Sequence, residues 1–271
     1  MKITKLTPII RRITAGNSNM FTGPGTNSYL LGENEVTVID PGPPMVNHIE
    51  DLISLTGKSL KQILITHTHP DHSPGASILK EMTGVPLYGL TTESSRKRDE
   101  EIDIDKILNH GDQIKTSEYS IEVIHTPGHA SNHLCYFLID ENTLFTGDHI
   151  MEGSTVVIAP PDGNMSKYLE SLELLKEYPI KTIAPGHGDL IQEPMAIVDA
   201  TIEHRLQREH KIIEKLEKLG SASIDELVND VYDDVASFLH PIAKWSLEAH
   251  LIKLMENKVV SKNKQDYVLI E

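Results

Sequence analysis

Cysteine is almost missing from this sequence of 271 residues: Cys135 stands alone. One thiol excludes an internal disulfide framework, and its place in the apolar stretch from His133 to Ile139 marks it as a small core residue. Long apolar runs are missing too. Nothing approaches the ~20 residues that a membrane span needs. The start, Met1 to Pro8, reads as a strand and not as a basic-flanked leader. The expectation is a cytoplasmic protein without a membrane partner. Positive charge is in deficit: 25 Lys and Arg stand against 40 Asp and Glu, a formal net charge of −15. Aromatic residues are only 5%, and no basic, aromatic-interleaved stretch of the kind that grips nucleic acid is present. This weighs against a polyanionic partner without excluding one. The remaining composition, 39% hydrophobic and 24% charged, fits one large globular domain or one large and one small.

What the sequence does have is concentrated. His67-Thr68-His69-Pro70-Asp71-His72 follows Gln62 to Thr66, a short β-branched run that reads as a buried strand. Ser73 to Met82 then reads as a helix. Four metal-competent side chains at the end of a core strand are costly unless something pairs them. Three further apolar runs end beside glycine on the same kind of residue. Ser120 to Ile124 leads to His129, Asn142 to Thr146 leads to Asp148, and Lys181 to Ala184 leads to His187. Imidazole and carboxylate are the donors that suit Zn²⁺ and related divalent ions. No serine or cysteine triad competes with this reading.

The run from His67 to His72, followed by His129, Asp148 and His187, resembles the metallo-β-lactamase superfamily. Gly25-Thr26-Asn27-Ser28-Tyr29-Leu30, Ile39-Asp40-Pro41-Gly42 and the stretch from Gly147 to Leu172 extend the likeness to its β-lactamase-like protein 2 group. The resemblance implies an α/β fold, an αββα sandwich of the metallo-β-lactamase type over 1–205, with a small C-terminal winged-helix-like domain over 206–271. It implies two Zn²⁺ per chain, with Fe or Mn able to use the same geometry. His67, His69 and His129 would hold one ion, Asp71, His72 and His187 the other, and Asp148 would bridge them. A hydroxide between the metals, its pKa lowered towards ~7, would be the nucleophile. Asp71 and Asp148 are then the catalytic carboxylates, Asp71 orienting the nucleophile or taking its proton. Asp40 is expected to accept an N–H from a ligand histidine and fix its tautomer. Substrate contacts are expected from Met20 and Phe21 in the loop 17–27, and His133 is expected either to contact substrate or to support a ligand histidine from behind. His149, next to Asp148, is expected to point away from it as strand neighbours do. Tyr168 is expected in a buried stripe.

The rest of the chain reads as alternating strands and helices, including a strand over Val36–Ile39 and helices over Val46–Thr56 and Met165–Tyr178. A long helix is expected from Pro194 to Gly220. A capping box at Ser223-Ile224-Asp225-Glu226 opens a short helix. Pro241 opens another, with Ile242, Trp245, Leu247, Leu251 and Leu254 on its buried side. A hairpin about Lys262-Asn263-Lys264 completes a winged-helix order. From Leu206 on, nine basic residues face twelve acidic ones, so the tail reads as a packing module or lid more than as a nucleic-acid reader.

These features point to a binuclear metal-dependent hydrolase. The extended family resemblance tips the substrate towards phosphodiesters, single-stranded RNA or DNA, with Arg11, Arg12, Lys167, Lys244 and Arg208 as candidate phosphate contacts. The alternative is a small carbonyl compound: a thioester, ester, lactone or β-lactam. A non-catalytic metal-binding protein is disfavoured because no ligand is missing. Association as a homodimer is compatible with either substrate.

Overall fold

The computed structural model describes residues 3–96 and 102–270. The first sheet takes β1 (Ile3–Lys5), β2 (Ile10–Thr14), β3 (Asn27–Leu31), β4 (Val36–Ile39), β5 (Leu60–Leu64), β6 (Leu87–Gly89) and β7 (Lys106–Ile107), side by side in chain order. Helices α1 (Val46–Thr56), α2 (Pro74–Thr83) and α3 (Glu93–Arg96) belong to the same half of the chain. The second sheet takes β8 (Gln113–Lys115), β9 (Ser120–His125), β10 (Leu134–Leu138), β11 (Thr143–Gly147) and β12 (Thr182–Pro185), in the order β12-β11-β10-β9-β8. Helices α4 (Met165–Leu175) and α5 (Pro194–Leu219) follow β11 and β12.

The layers follow from period-two burial on strands covered on both faces. Along β10, Leu134, Tyr136 and Leu138 pack between the sheets with Tyr29, Ile39, Leu64 and Phe145. Their neighbours Cys135 and Phe137 face outward against Met165, Leu172, Leu175 and Val198 of α4 and α5. On the other flank Leu30, Val38 and Ile63 pack against Ile49 and Leu52 of α1 and Leu79 of α2. This is the expected αββα sandwich.

The C-terminal part comprises β13 (Ala222–Ser223), α6 (Ile224–Val231), α7 (His240–Glu256), β14 (Val260–Asn263) and β15 (Asp266–Leu269), with the sheet order β13-β15-β14. This is a winged helix. Ser223 and Glu226 form the expected reciprocal capping box, an arrangement whose loss costs a helix about 1 kcal/mol. α5 runs through residue 205 without a break. Val198 sits in the sandwich core, and Ile212 and Leu216 sit in the winged-helix core.

Three local expectations are corrected. β5 ends at Leu64 instead of Thr66, because Asp40 takes the Thr66 amide into a side-chain hydrogen bond of 2.7 Å. The hairpin turns later than expected: Asn263 still pairs with Asp266, and Lys264 adopts φ 57°. Trp245 is not on a buried side; it is 48% exposed and Ile242 is only half-buried. α7 is buried on two sides at once, Leu247 and Leu251 in the winged-helix core and Ala249 against the sandwich, which leaves Trp245 to neither. No described helix is long and apolar enough to cross a membrane.

Candidate metal centre

Strand direction assembles the site. β4 and β5 are parallel, β11 and β12 are parallel, and β9 and β11 both run antiparallel to the β10 between them. The C-terminal ends of β9, β11 and β12 thus share one edge of their sheet, as those of β4 and β5 share one edge of theirs. Asp40 follows β4, the His67–His72 run follows β5, His129 follows β9, Asp148 follows β11 and His187 follows β12. Gly147 makes the turn to Asp148 at φ 45°, and a Cβ there would lie 2.5 Å from Thr66 Oγ1. Only glycine lets these two strand ends come so close.

His67, His69 and His129 form one group of converging donors; Asp71, His72, Asp148 and His187 form a second. Asp148 reaches both. Its Oδ1 lies 3.2 Å from His72 Nε2 and 3.3 Å from His187 Nε2, and its Oδ2 lies 3.7 Å from His129 Nε2. Asp71 Oδ2 lies 3.2 Å from His187 Nε2 and 3.5 Å from His72 Nε2.

The outward nitrogens are tied down. His72 Nδ1 meets Asp40 Oδ2 at 2.9 Å, His129 Nδ1 meets the Val157 carbonyl at 2.7 Å, and His187 Nδ1 meets the Gly25 carbonyl at 3.1 Å. His67 Nδ1 lies 3.0 Å from Thr66 Oγ1, which itself donates to Asp40 Oδ2. Asp40 therefore braces the site from behind through His72 directly and through Thr66 towards His67. Such contacts fix ring orientation and leave the inner nitrogen free to ligate.

The donor set fits divalent cations. His67 Nε2 is buried without any partner. Two pairs of ring nitrogens stand close, His72 Nε2 to His187 Nε2 at 3.3 Å and His129 Nε2 to His69 Nδ1 at 2.9 Å. Buried, unpaired acceptors facing one another are what a cation resolves. The electrostatics agree. Burial, reinforced by neighbouring histidines, holds His67 well below its usual range and His69 at about 3. Burial would also lower His72 and His187, but the carboxylates of Asp71 and Asp148 outweigh it and raise both, His187 to about 9. Burial works against the Asp148 carboxylate, yet His72 and His187 hold it well below the normal range. The carboxylates demand positive charge at this spot.

His133 is fully buried beside the donor histidines, with its ring centroid 5.0 Å from that of His67 and its Nδ1 2.9 Å from Thr126 Oγ1. Full burial is the setting of a supporting residue, one of the two roles expected of it, more than of a substrate contact. His149 belongs to neither donor group. Its ring is buried 5.9 Å from His133 and 5.1 Å from Tyr168. Tyr168 is buried as expected, donating to the His149 carbonyl. Cys135 is a core thiol, pushed up to about 12 by burial.

A cavity of about 790 Å³ opens onto both donor groups. His69, Asp71, His129 and Asp148 form its floor, and Met20 and Phe21 of the 17–27 loop stand on one rim. Asn19 Oδ1 accepts from the Phe21 and Thr22 amides and shapes that loop. The rest of the lining is not predicted by the sequence: Val156 and Val157 of the sandwich, and Tyr232, Val235, Leu239, Ile242 and Trp245 of the winged helix. Arg205 also lines the cavity. None of the five cations named as phosphate contacts does. Arg11 donates to the Gly32 carbonyl, Arg12 pairs with Asp189, Lys167 with Glu170, Lys244 with Asp225 and Arg208 with Asp234.

Comparison with known proteins agrees with this architecture. Residues 21–187 match the Metallo-beta-lactamase superfamily and residues 223–267 match the Beta-lactamase associated winged helix domain. The Beta-lactamase-like protein 2 homolog of Drosophila melanogaster is 32% identical over 93% of this chain and 89% of its own length. An Atrochrysone carboxyl ACP thioesterase of Aspergillus chevalieri is 28% identical over 93% of this chain and 82% of its own. The metallo-beta-lactamase family protein TTHA1429 of Thermus thermophilus superposes with a TM-score of 0.82 at 20% identity, covering 98% of this chain and 100% of that one. With the family profile covering more than half of its length, this chain belongs to the metallo-beta-lactamase superfamily and is an enzyme of its hydrolase kind.

Proposed function

We propose that the chain is a binuclear zinc hydrolase of carbonyl compounds, with thioesters or esters of bulky apolar acyl groups as its substrates. The observation that carries this reading is the cavity. It is large enough for a drug-sized molecule, its wall above the donor residues is mostly apolar, and among the described residues no lysine lines it. A polyanion track would need exposed cations there. The likeness to a protein named as an acyl-carrier thioesterase supports the same substrate class.

Imidazole and carboxylate donors without thiolate suit zinc, with iron or manganese as alternatives. His67, His69 and His129 would hold one ion, Asp71, His72 and His187 the second, and Asp148 both. Bound there, the ions supply Lewis-acid polarisation of a carbonyl and an activated water at neutral pH. The protein's own groups do the rest. Asp71, its side chain 28% exposed, lines the cavity, and on this reading it takes the proton of the attacking water and returns it to the leaving group. Asp40 and Thr66 keep His72 and His67 in register. Met20, Phe21 and the winged-helix wall hold the acyl group and exclude bulk water. The catalytic unit and the winged helix divide within α5, near residue 205.

A second reading, hydrolysis of short single-stranded nucleic acid, rests on the flat faces of Phe21 and Trp245, 52% and 48% exposed at the cavity, on which bases could stack. A panel of acyl thioesters, aryl esters, a lactone, a β-lactam, single-stranded DNA and short single-stranded RNA, offered to zinc-reconstituted protein over a salt series, separates the two. The carbonyl reading predicts turnover of an apolar thioester or ester, indifferent to salt. RNA cleavage that falls steeply with salt, beside carbonyl rates no higher than a metal-stripped control, would establish the second reading instead.

A further inference from the structure

Arg205 and Arg208 are one helical turn apart on α5, and both are buried, at 2% and 5% exposure. Their surroundings differ. Arg208 holds Asp234 with both terminal nitrogens, at 2.6 and 2.8 Å. Arg205 has no carboxylate partner among the described residues. One terminal nitrogen donates to the Val156 carbonyl, its guanidinium lies 5.3 Å from the Tyr168 ring centroid, and its Nε, like that of Arg208, is unpartnered. An arginine always carries its charge, and a buried charge left uncompensated costs several kcal/mol. This one stands on the wall of the cavity that opens onto the donor residues.

A second orphan lies on the same wall. Tyr232 lines the cavity at 5% exposure, and its hydroxyl has no hydrogen-bond partner. A buried phenol without a partner is also unfavourable. A buried guanidinium without a carboxylate partner and a buried hydroxyl without any partner, on two residues that line one apolar cavity, have a shared complement: a small anion.

We propose that Arg205 and Tyr232 form an anion subsite that receives a carboxylate carried by the substrate. A carboxylate matches the planar fork of guanidinium and accepts a further bond from a phenol. Its single charge balances the single charge of Arg205, whereas a phosphate dianion in this apolar setting would remain half-compensated. The site is coupled to the metal centre through the chain: Val156 accepts from Arg205, and the next residue, Val157, accepts from ligand His129. The proposal rests on the reading of this cavity as the substrate site, and narrows the substrate to an apolar acyl compound with a free carboxylate away from the scissile bond.

Trp245, the one tryptophan in the sequence, lines the same cavity and reports its occupancy by fluorescence. Zinc-loaded protein is titrated with 4-phenylbutyrate and with 4-phenylbutyramide, matched in size and differing in charge. The acid is expected to bind about tenfold or more tightly than the amide. In Arg205→Met this preference collapses to near unity, and in Tyr232→Phe, which keeps the ring in place, it falls about threefold. Equal binding by the wild type, no binding of either probe, or a preference retained in a folded, zinc-replete Arg205→Met would overturn the proposal. So would a preference that survives Arg205→Met but disappears with the zinc, since the carboxylate would then sit on the metals. The readout is binding, so an absence of turnover on every carbonyl substrate would sink the hydrolase reading alone and remain distinguishable from these results.

Discussion

The two walls of the cleft are built on opposite principles. On the sandwich side, polar groups are held from behind. Asp40 alone receives the Thr66 amide, the Thr66 hydroxyl and His72, and the Val157 and Gly25 carbonyls steady His129 and His187. On the winged-helix side the wall is Val235, Leu239, Ile242 and Trp245, apolar and partly exposed, with Arg205 and Tyr232 as its orphaned polar groups. An over-determined wall fixes geometry for chemistry, where displacement by about 1 Å is costly. A loosely packed apolar wall can select by shape and burial at little cost to the chemistry. On the function proposed above, reaction belongs to one wall and recognition to the other.

Substitutions on the sandwich wall should remove chemistry while leaving the fold intact. Asp148→Asn keeps the shape of the one side chain shared by both donor groups and removes its charge. Turnover should fall by several orders of magnitude and metal content should drop, with circular dichroism unchanged; near-wild-type turnover at full metal content would break the assignment. Asp40→Asn acts one layer back. It should weaken metal binding by about 10–100-fold, the usual consequence of losing an outer partner of a ligand histidine, as read by chelator competition.

On the other wall the effects should be smaller and of another kind. Ile242→Ser, on a residue of α7 that lines the cavity, should raise KM for an apolar ester by about tenfold, from the lost burial of one aliphatic side chain, with kcat and metal content unchanged. An equal fall in kcat would blur the division between walls. Farther out, within the winged helix, the Arg208–Asp234 pair ties the C-terminal half of α5 to the segment after α6. The Arg208 guanidinium lowers Asp234 from 3.8 to about 2. A lowered folded-state value means stability present above about pH 4 and lost as the pH falls through about 2. Asp234→Asn should therefore cost under about 1 kcal/mol at pH 7, since this carboxylate is largely solvated. The difference from wild type should fade between pH 4 and 2 in thermal melts, while rates stay unchanged.

The sandwich wall was far more legible in the sequence than the other. His67, His69, Asp71 and His72 are contiguous, and His129, Asp148 and His187 each follow an apolar run ending in glycine or its neighbourhood, so local pattern carries them. Even Asp40 stood out, between a strand and Pro41-Gly42. Thr66 reads as no more than the strand's last residue, although a hydroxyl beside the first histidine of the run is a usable signal. The winged-helix wall has no such local mark. It exists only because α5 and α7 each serve two cores, and a single helical stripe cannot describe a helix buried on two sides. That is why Trp245 was assigned to the wrong face. Arg205, in a charged helix beside Glu203 and Arg208, reads as solvated; its burial is purely tertiary.

The central claim is that acyl recognition belongs to the winged-helix wall and turnover to the sandwich wall. The direct test is kcat and KM for a series of thioesters with acyl groups from acetyl to aryl, in zinc-loaded wild type and Trp245→Ala. The account predicts that kcat/KM rises with acyl size in the wild type and that this gradient flattens in the variant, while kcat stays level in both. A gradient unaltered by Trp245→Ala, or a variant that loses kcat equally for every acyl group, would contradict it.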